Sequence, residues 1–144
     1  MNNEEAKKRI MDFMKENMLT VISTVDVDIN KPESAVIAFA QKDNFELIFG
    51  TKNTTRKYRN LQKNPNVSFV IGWDSDIGTV QYEGVAKELS GEESKLHSSI
   101  LIAKNPRSEK FVNREDQRYF LVQPRWIRIL DMTKIPDETF EINF

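Results

Sequence analysis

Beyond Met18, apolar residues recur at every second position, in short runs broken by turn residues and without regular strand–helix–strand alternation. A period of two puts successive side chains on opposite faces, as in a half-buried strand, and excludes an all-helical chain. Leu19, Val21, Ser23 and Val25 alternate with Thr20, Ile22 and Thr24, a β-branched run suited to a pleated surface. Asp26–Pro32 holds the Asp, Asn and Pro of a turn. A second strand is expected over Ser34–Gln41, and Lys42-Asp43-Asn44 links it tightly to a third over Phe45–Gly50. Together these three read as an antiparallel meander.

Farther on, Asn66–Trp73 and Ile77–Glu88 read as strands joined by Asp74-Ser75-Asp76, a turn rather than an acid/base pair. Gly84 lies inside the second of them, where glycine marks a bulge or a close backbone approach. Tyr119–Gln123 and Trp126–Met132 are the last strands, separated by Pro124, and Phe140, Ile142 and Phe144 alternate in a tail that adds to an edge. Helices punctuate this series. Ala6, Ile10, Phe13 and Met14 share one face over Asn3–Asn17. A short helix with Tyr58 and Leu61 on one face stops before Pro65. Ser90 and Glu93 have capping-box spacing and open a third helix with Leu96, Ile100 and Ala103 as its buried stripe. Lys104–Arg118 mixes both charge signs and reads as a solvated loop or short helix. About seven antiparallel strands with peripheral helices predict a mainly β fold, a barrel, in one domain spanning residues 1–144.

Composition excludes several classes of function. The 144 residues contain no cysteine, so thiolate nucleophiles, disulfides and Cys-ligated metals are ruled out. One histidine, His97, cannot build a His-rich metal site, and with no nucleophile pattern beside it reads as a surface or core-edge residue. With 21 basic and 22 acidic residues the net charge is −1, which gives no field for nucleic acid. The N-terminal residues are acidic then basic with no apolar core, and no run is long enough to span a bilayer, so a cytoplasmic protein is expected.

The chemistry concentrates in Phe45–Leu61: a strand, a Gly-Thr turn, then a helix start rich in hydroxyls and cations. Helix N-termini carry unpaired N–H groups and the positive dipole end, so Arg56 and Lys57 in the first turn are misplaced by about 0.3–1 kcal/mol unless an anion binds there. Arg offers a planar fork to two oxygens, Lys adds a compact charge, and Thr51, Thr54 and Thr55 can donate hydroxyl hydrogen bonds. The plain alternative is an exposed helix start capped by Thr54 or Thr55. Neither a P-loop nor a Gly-x-Gly-x-x-Gly fingerprint is present.

The stretch Phe49-Gly-Thr-Lys-Asn-Thr-Thr-Arg-Lys-Tyr-Arg-Asn-Leu-Gln-Lys-Asn-Pro-Asn-Val67 resembles the phosphate-binding region of the pyridoxamine 5′-phosphate oxidase-like family. Lys31–Phe39, the Glu83-Gly84-Val85-Ala86 strand ending at Leu89, and Pro124-Arg-Trp-Ile-Arg128 resemble its other strands in the same order. This resemblance implies an FMN-binding split β-barrel that works as a homodimer with flavin at the interface. It implies that Thr51, Thr55, Arg56 and Lys57 hold the FMN phosphate. The strand Ser34, Ala35, Val36 and Ile37 would run beside the isoalloxazine. Thr79 and Gln81 would approach from the other subunit, and Trp126 would be a dimer-contact aromatic near the ring. True pyridoxamine-phosphate oxidases end in an Arg-x-His motif, whereas Arg128-Ile-Leu130 has no histidine. Vitamin B6 oxidation is therefore not expected, and the chain is more similar to the short general-stress-protein branch. An FMN-dependent oxidoreductase taking electrons from a donor such as NAD(P)H to a small acceptor is expected, without a committed catalytic residue. The alternative is a non-catalytic binding protein for flavin, haem or F420, where haem would find only His97 as an axial ligand.

Overall fold

A computed structural model describes all residues, Met1–Phe144. Eight strands form one antiparallel sheet: β1 (Leu19–Asp26), β2 (Lys31–Ala38), β3 (Ala40–Gln41), β4 (Leu47–Lys52), β5 (Asn66–Asp74), β6 (Gly78–Glu88), β7 (Gln117–Asp131) and β8 (Glu138–Asn143). They run in the order β2-β1-β5-β6-β7-β4-β3, with β8 also on β7, and the curled sheet is the split barrel that the resemblance implied. Helices α1 (Asn3–Glu16), α2 (Arg56–Lys63) and α3 (Gly91–Lys104) lie around it, and a 3-10 turn covers Pro106–Phe111.

Period two sorts the sheet into an apolar interior and an outer face. Ile22, Phe69, Tyr82, Ile127 and Ile142 stand in register across five strands and are all buried. Phe49 stacks on Phe120 with ring centroids 5.1 Å apart and meets Phe69 edge-on, so the wide aromatics fill the centre. Ile10, Phe13 and Met14 of α1 join the same core. That helix is opened by a capping box between Asn2 and Glu5, which sequence reading passed over.

Several expectations need correction. The meander does not form. The second strand breaks at Phe39, whose carbonyl accepts from the Asn105 side chain, so β2 stays on β1 while β3 turns to β4. The third strand, β4, then crosses to β7. The two last strands are one, because Pro124 sits opposite Gly84 at the bulge where the register shifts, and a missing N–H costs nothing there. The bulge at Gly84 is as expected: a Cβ there would run into the Gln123 carbonyl oxygen. The tail does add to an edge, as β8 on the second half of β7.

Helix α3 is rotated from its expected stripe. His97, Ser98 and Leu101 are buried, Ile100 packs only partly, and Leu96 is 56% exposed with Ala103 also outside. Ser90 stands at the N-cap without a side-chain bond, so the expected capping box is not made. Lys104 is not solvated. Its ammonium donates to the Met14 carbonyl at 2.9 Å and to Gln41 Oε1, and lies 3.7 Å from the centre of the Phe39 ring. Burial pushes its pKa down to about 8. No helix is long and apolar enough to cross a membrane.

Candidate functional site

Strand β2 is the end of the sheet path and pairs only with β1. Every second residue therefore turns its N–H and C=O to a free edge. The chain leaves β4 at Lys52, turns through Asn53–Thr55 and starts α2 against β1, next to that edge. Between them lies a cleft of about 380 Å³ whose lining includes Glu33, Ser34, Ala35, Thr55, Arg56 and Lys57.

Thr55 is the N-cap of α2, accepting from the Tyr58 amide at 3.3 Å, and its hydroxyl donates to the Lys52 carbonyl at 3.0 Å. Thr51 is buried and its hydroxyl meets that of Thr55 at 2.9 Å. The plain capping role and the anion reading thus share one residue: Thr51 fixes Thr55, and Thr55 fixes the helix start. No acidic side chain lies in the first turn. Arg56 is largely exposed and reaches Glu33 at 3.0 Å. Lys57 has no carboxylate within ion-pair distance, and partial burial holds its ammonium below the ordinary lysine pKa. An anion in the cleft would remove that misfit.

The other expected residues divide by face. Ser34 shares a 2.8 Å hydroxyl contact with Ser23, and Val36 is 60% exposed, both on the outer side of β2. Ile37 is buried in the core and does not line the cleft. Val36, Val21, Val70, Gln81, Arg128 and Glu141 make one register row across the outer face. Gln81 is therefore three strands from Val36, about 14 Å at ~4.8 Å per strand. Thr79 lies beside it on β6, bonded to the Ile71 carbonyl, and Trp126 sits on β7 with its indole N–H directed at Glu141. A single chain does not bring these three to the cleft.

His97 is 2% exposed and wholly engaged. Its Nδ1–H donates to the Glu93 carbonyl at 2.7 Å, leaving Nε2 to accept from Lys42 at 3.4 Å. It offers no free nitrogen as an axial haem ligand. Sequence reading missed Glu33 and Asn60. Asn60 is 3% exposed and donates to Thr24 Oγ1 at 3.0 Å and to Glu33 Oε1 at 2.9 Å. The available signal was parity: Glu33 shares the inward side of β2 with Ala35, two residues on, but next to Lys31-Pro32 it looks like a turn residue.

Residues 6–131 match the family model described as pyridoxamine 5′-phosphate oxidase, and the chain belongs to that family. It is similar to general stress protein 26 of Bacillus subtilis, 24% identical over 91% of this chain and 92% of that protein. Among solved structures, general stress protein 26 of Bacillus anthracis superposes with a TM-score of 0.74 at 24% identity, covering 96% of this chain and 99% of that one. HutZ, the haem storage protein of Vibrio cholerae, superposes with a TM-score of 0.68 at 21% identity, over 82% and 89%. The chain spans less than half the length of the curated pyridoxine/pyridoxamine 5′-phosphate oxidases it matches. For that of Ehrlichia ruminantium the match is 29% identical over 59% of this chain and 43% of the relative.

Proposed function

We propose that the chain binds FMN, with the flavin phosphate at the start of α2 and the ring along β2, and acts as an FMN-dependent oxidoreductase on a small substrate. The observation that carries this reading is the pairing of Arg56 and Lys57 in the first turn of a helix whose N–H groups open on a cleft beside a free strand edge. Cations at that end of a helix are disfavoured by its dipole, and an anion bound there reverses the sign. When bound, FMN supplies the electron and hydride chemistry; the chain supplies anchorage, orientation and access. The free N–H and C=O groups of β2 between Ser34 and Ile37 are suited to the polar rim of the ring.

A homodimer completes this site. Leu19, Val36, Val70 and Trp73 leave 46%, 60%, 39% and 60% of their surface exposed on or beside the outer face. A second copy covering that face would shield them and could deliver its Thr79, Gln81 and Trp126 to the flavin. The electron donor is of the NAD(P)H class. The similarity to a general stress protein over nearly its whole length supports a second reading, flavin binding without turnover. Steady-state assays with NAD(P)H and varied acceptors separate the two.

The test begins with the visible spectrum of the purified protein after addition of FMN and gel filtration. A flavin band retained at about one per subunit is expected. Arg56→Ala should weaken FMN by about 1.5–3 kcal/mol, the scale of hydrogen bonds to charged groups, with the fold retained. Flavin content indifferent to that substitution removes the phosphate site, and a protein that stays colourless removes the flavin.

A further inference from the structure

The cleft that favours an anion also contains one of its own. The Glu33 side chain is 7% exposed, and three groups surround its carboxylate: the Asn60 amide at 2.9 Å, the Arg56 guanidinium at 3.0 Å and the Lys31 ammonium at 3.9 Å. The partners are not equivalent. Asn60 is buried and tied to Thr24, so its contact fixes the carboxylate in place. Arg56 keeps 58% of its side chain in solvent, at the first position of α2, and is free to turn. A planar guanidinium fork binds two oxygens well, and here one side of it is already occupied by a carboxylate.

We propose that Glu33 is an internal competitor for the ligand's phosphate: it holds the Arg56 fork when the cleft is empty of ligand and repels a phosphate dianion when it is filled. This rests on the FMN reading for the identity of the ligand, but not for the charge of the site. Glu33 stays ionised in the folded chain. The Asn60 hydrogen bond holds its carboxyl below the ordinary value against the opposing cost of burial, with Arg56, Lys31 and Arg59 adding to it. With Arg56 neutralised in this way, Lys57 is the one uncompensated cation lining the cleft. Such a site holds a phosphate monoester less tightly than its two cations and helix start would without the carboxylate.

Glu33→Gln tests this directly. Glutamine keeps the volume and can still accept from Asn60, so the fold is retained, but the charge is gone. Binding of FMN, of riboflavin, which lacks the phosphate, and of inorganic pyrophosphate would be measured by fluorescence quenching and thermal shift. The expected result is about tenfold tighter FMN, the scale of one like-charge contact at a partly exposed site, with riboflavin unchanged and a larger thermal shift from pyrophosphate. Tighter pyrophosphate with no flavin bound by either form would uphold Glu33 as competitor and overturn the FMN reading. Weaker FMN in the variant would make Glu33 a positioning residue for Arg56 and overturn the proposal. Equal binding of all three ligands, or binding of none, would overturn it as well.

Discussion

Two charged clefts of nearly equal size lie on this molecule, and they are built to opposite ends. One, about 380 Å³, lies between β2 and the start of α2; the other, about 390 Å³, lies between α1 and the end of β7. Each has an arginine–carboxylate pair near its base, Arg56–Glu33 at 3.0 Å and Arg9–Asp131 at 3.2 Å. In the α1 cleft, however, Lys8, Arg9 and Lys134 face Glu5, Asp12, Asp131 and Glu138, so negative charge matches or exceeds positive. Asp131 is 2% exposed and also accepts from the Thr133 amide and hydroxyl. The α2 cleft has two cations, one carboxylate and the positive end of a helix. Size and polarity do not distinguish a site from a seam; the sign of the uncompensated charge does.

The largest effect expected from breaking this contrast is on the seam. Asp131→Ala leaves Arg9 and the Thr133 groups without their shared acceptor at a buried position. It should lower stability in urea by about 2–3 kcal/mol, less than a fully buried pair would lose because Arg9 is partly exposed. It should leave FMN affinity unchanged, and a loss of flavin alongside normal stability would reverse the roles of the two clefts. Lys57→Met should do the opposite. FMN should weaken about tenfold, ~1.4 kcal/mol, while the unliganded protein keeps its denaturation midpoint, because burial already disfavours that ammonium.

The smallest effect is on pH dependence. Burial acts to raise the Asp131 pKa, but the Thr133 hydrogen bonds and Arg9 outweigh it and the carboxyl lies below its ordinary value. A carboxylate lowered in the folded state contributes stability that is present above its unfolded pKa and lost as pH falls through the folded one. Wild type should therefore lose stability on acidification below the ordinary carboxylate range, and Asp131→Asn should show a shallower acid limb. Equal limbs would remove Asp131 from the account.

How far these clefts were legible in the sequence follows from what local pattern encodes. Arg56 and Lys57 were visible because their position against the helix dipole is a local conflict, readable from neighbours alone. Glu33 was not, since its meaning depends on Asn60 and Thr24, which come from two other elements. Period two identified the strands and their inward residues, yet it is blind to partners, and so the meander was drawn where β4 pairs with β7. The stripe of α3 failed for a related reason. Its buried face carries His97, Ser98 and Lys104, polar groups satisfied by Glu93, Lys42, Lys95, Gln41 and Met14, while Leu96 is left outside. Hydrophobicity cannot find a face whose burial is made good by hydrogen bonds.

The long strand β7 has a consequence in time as well as in space. One of its edges pairs with β6, and the other is divided between β4 and β8. Strand β4 has no other lasting neighbour than the two-residue β3, so Leu47 waits for Val122 and Gly50 for Tyr119 before either end of the barrel can close. On a ribosome, β1, β2, β5 and β6 can assemble as their residues emerge, but β4 lacks its main partner until most of the chain has been made. The cleft beside β2, whose lining includes Thr54 and Thr55 just past β4, is then complete only late in synthesis.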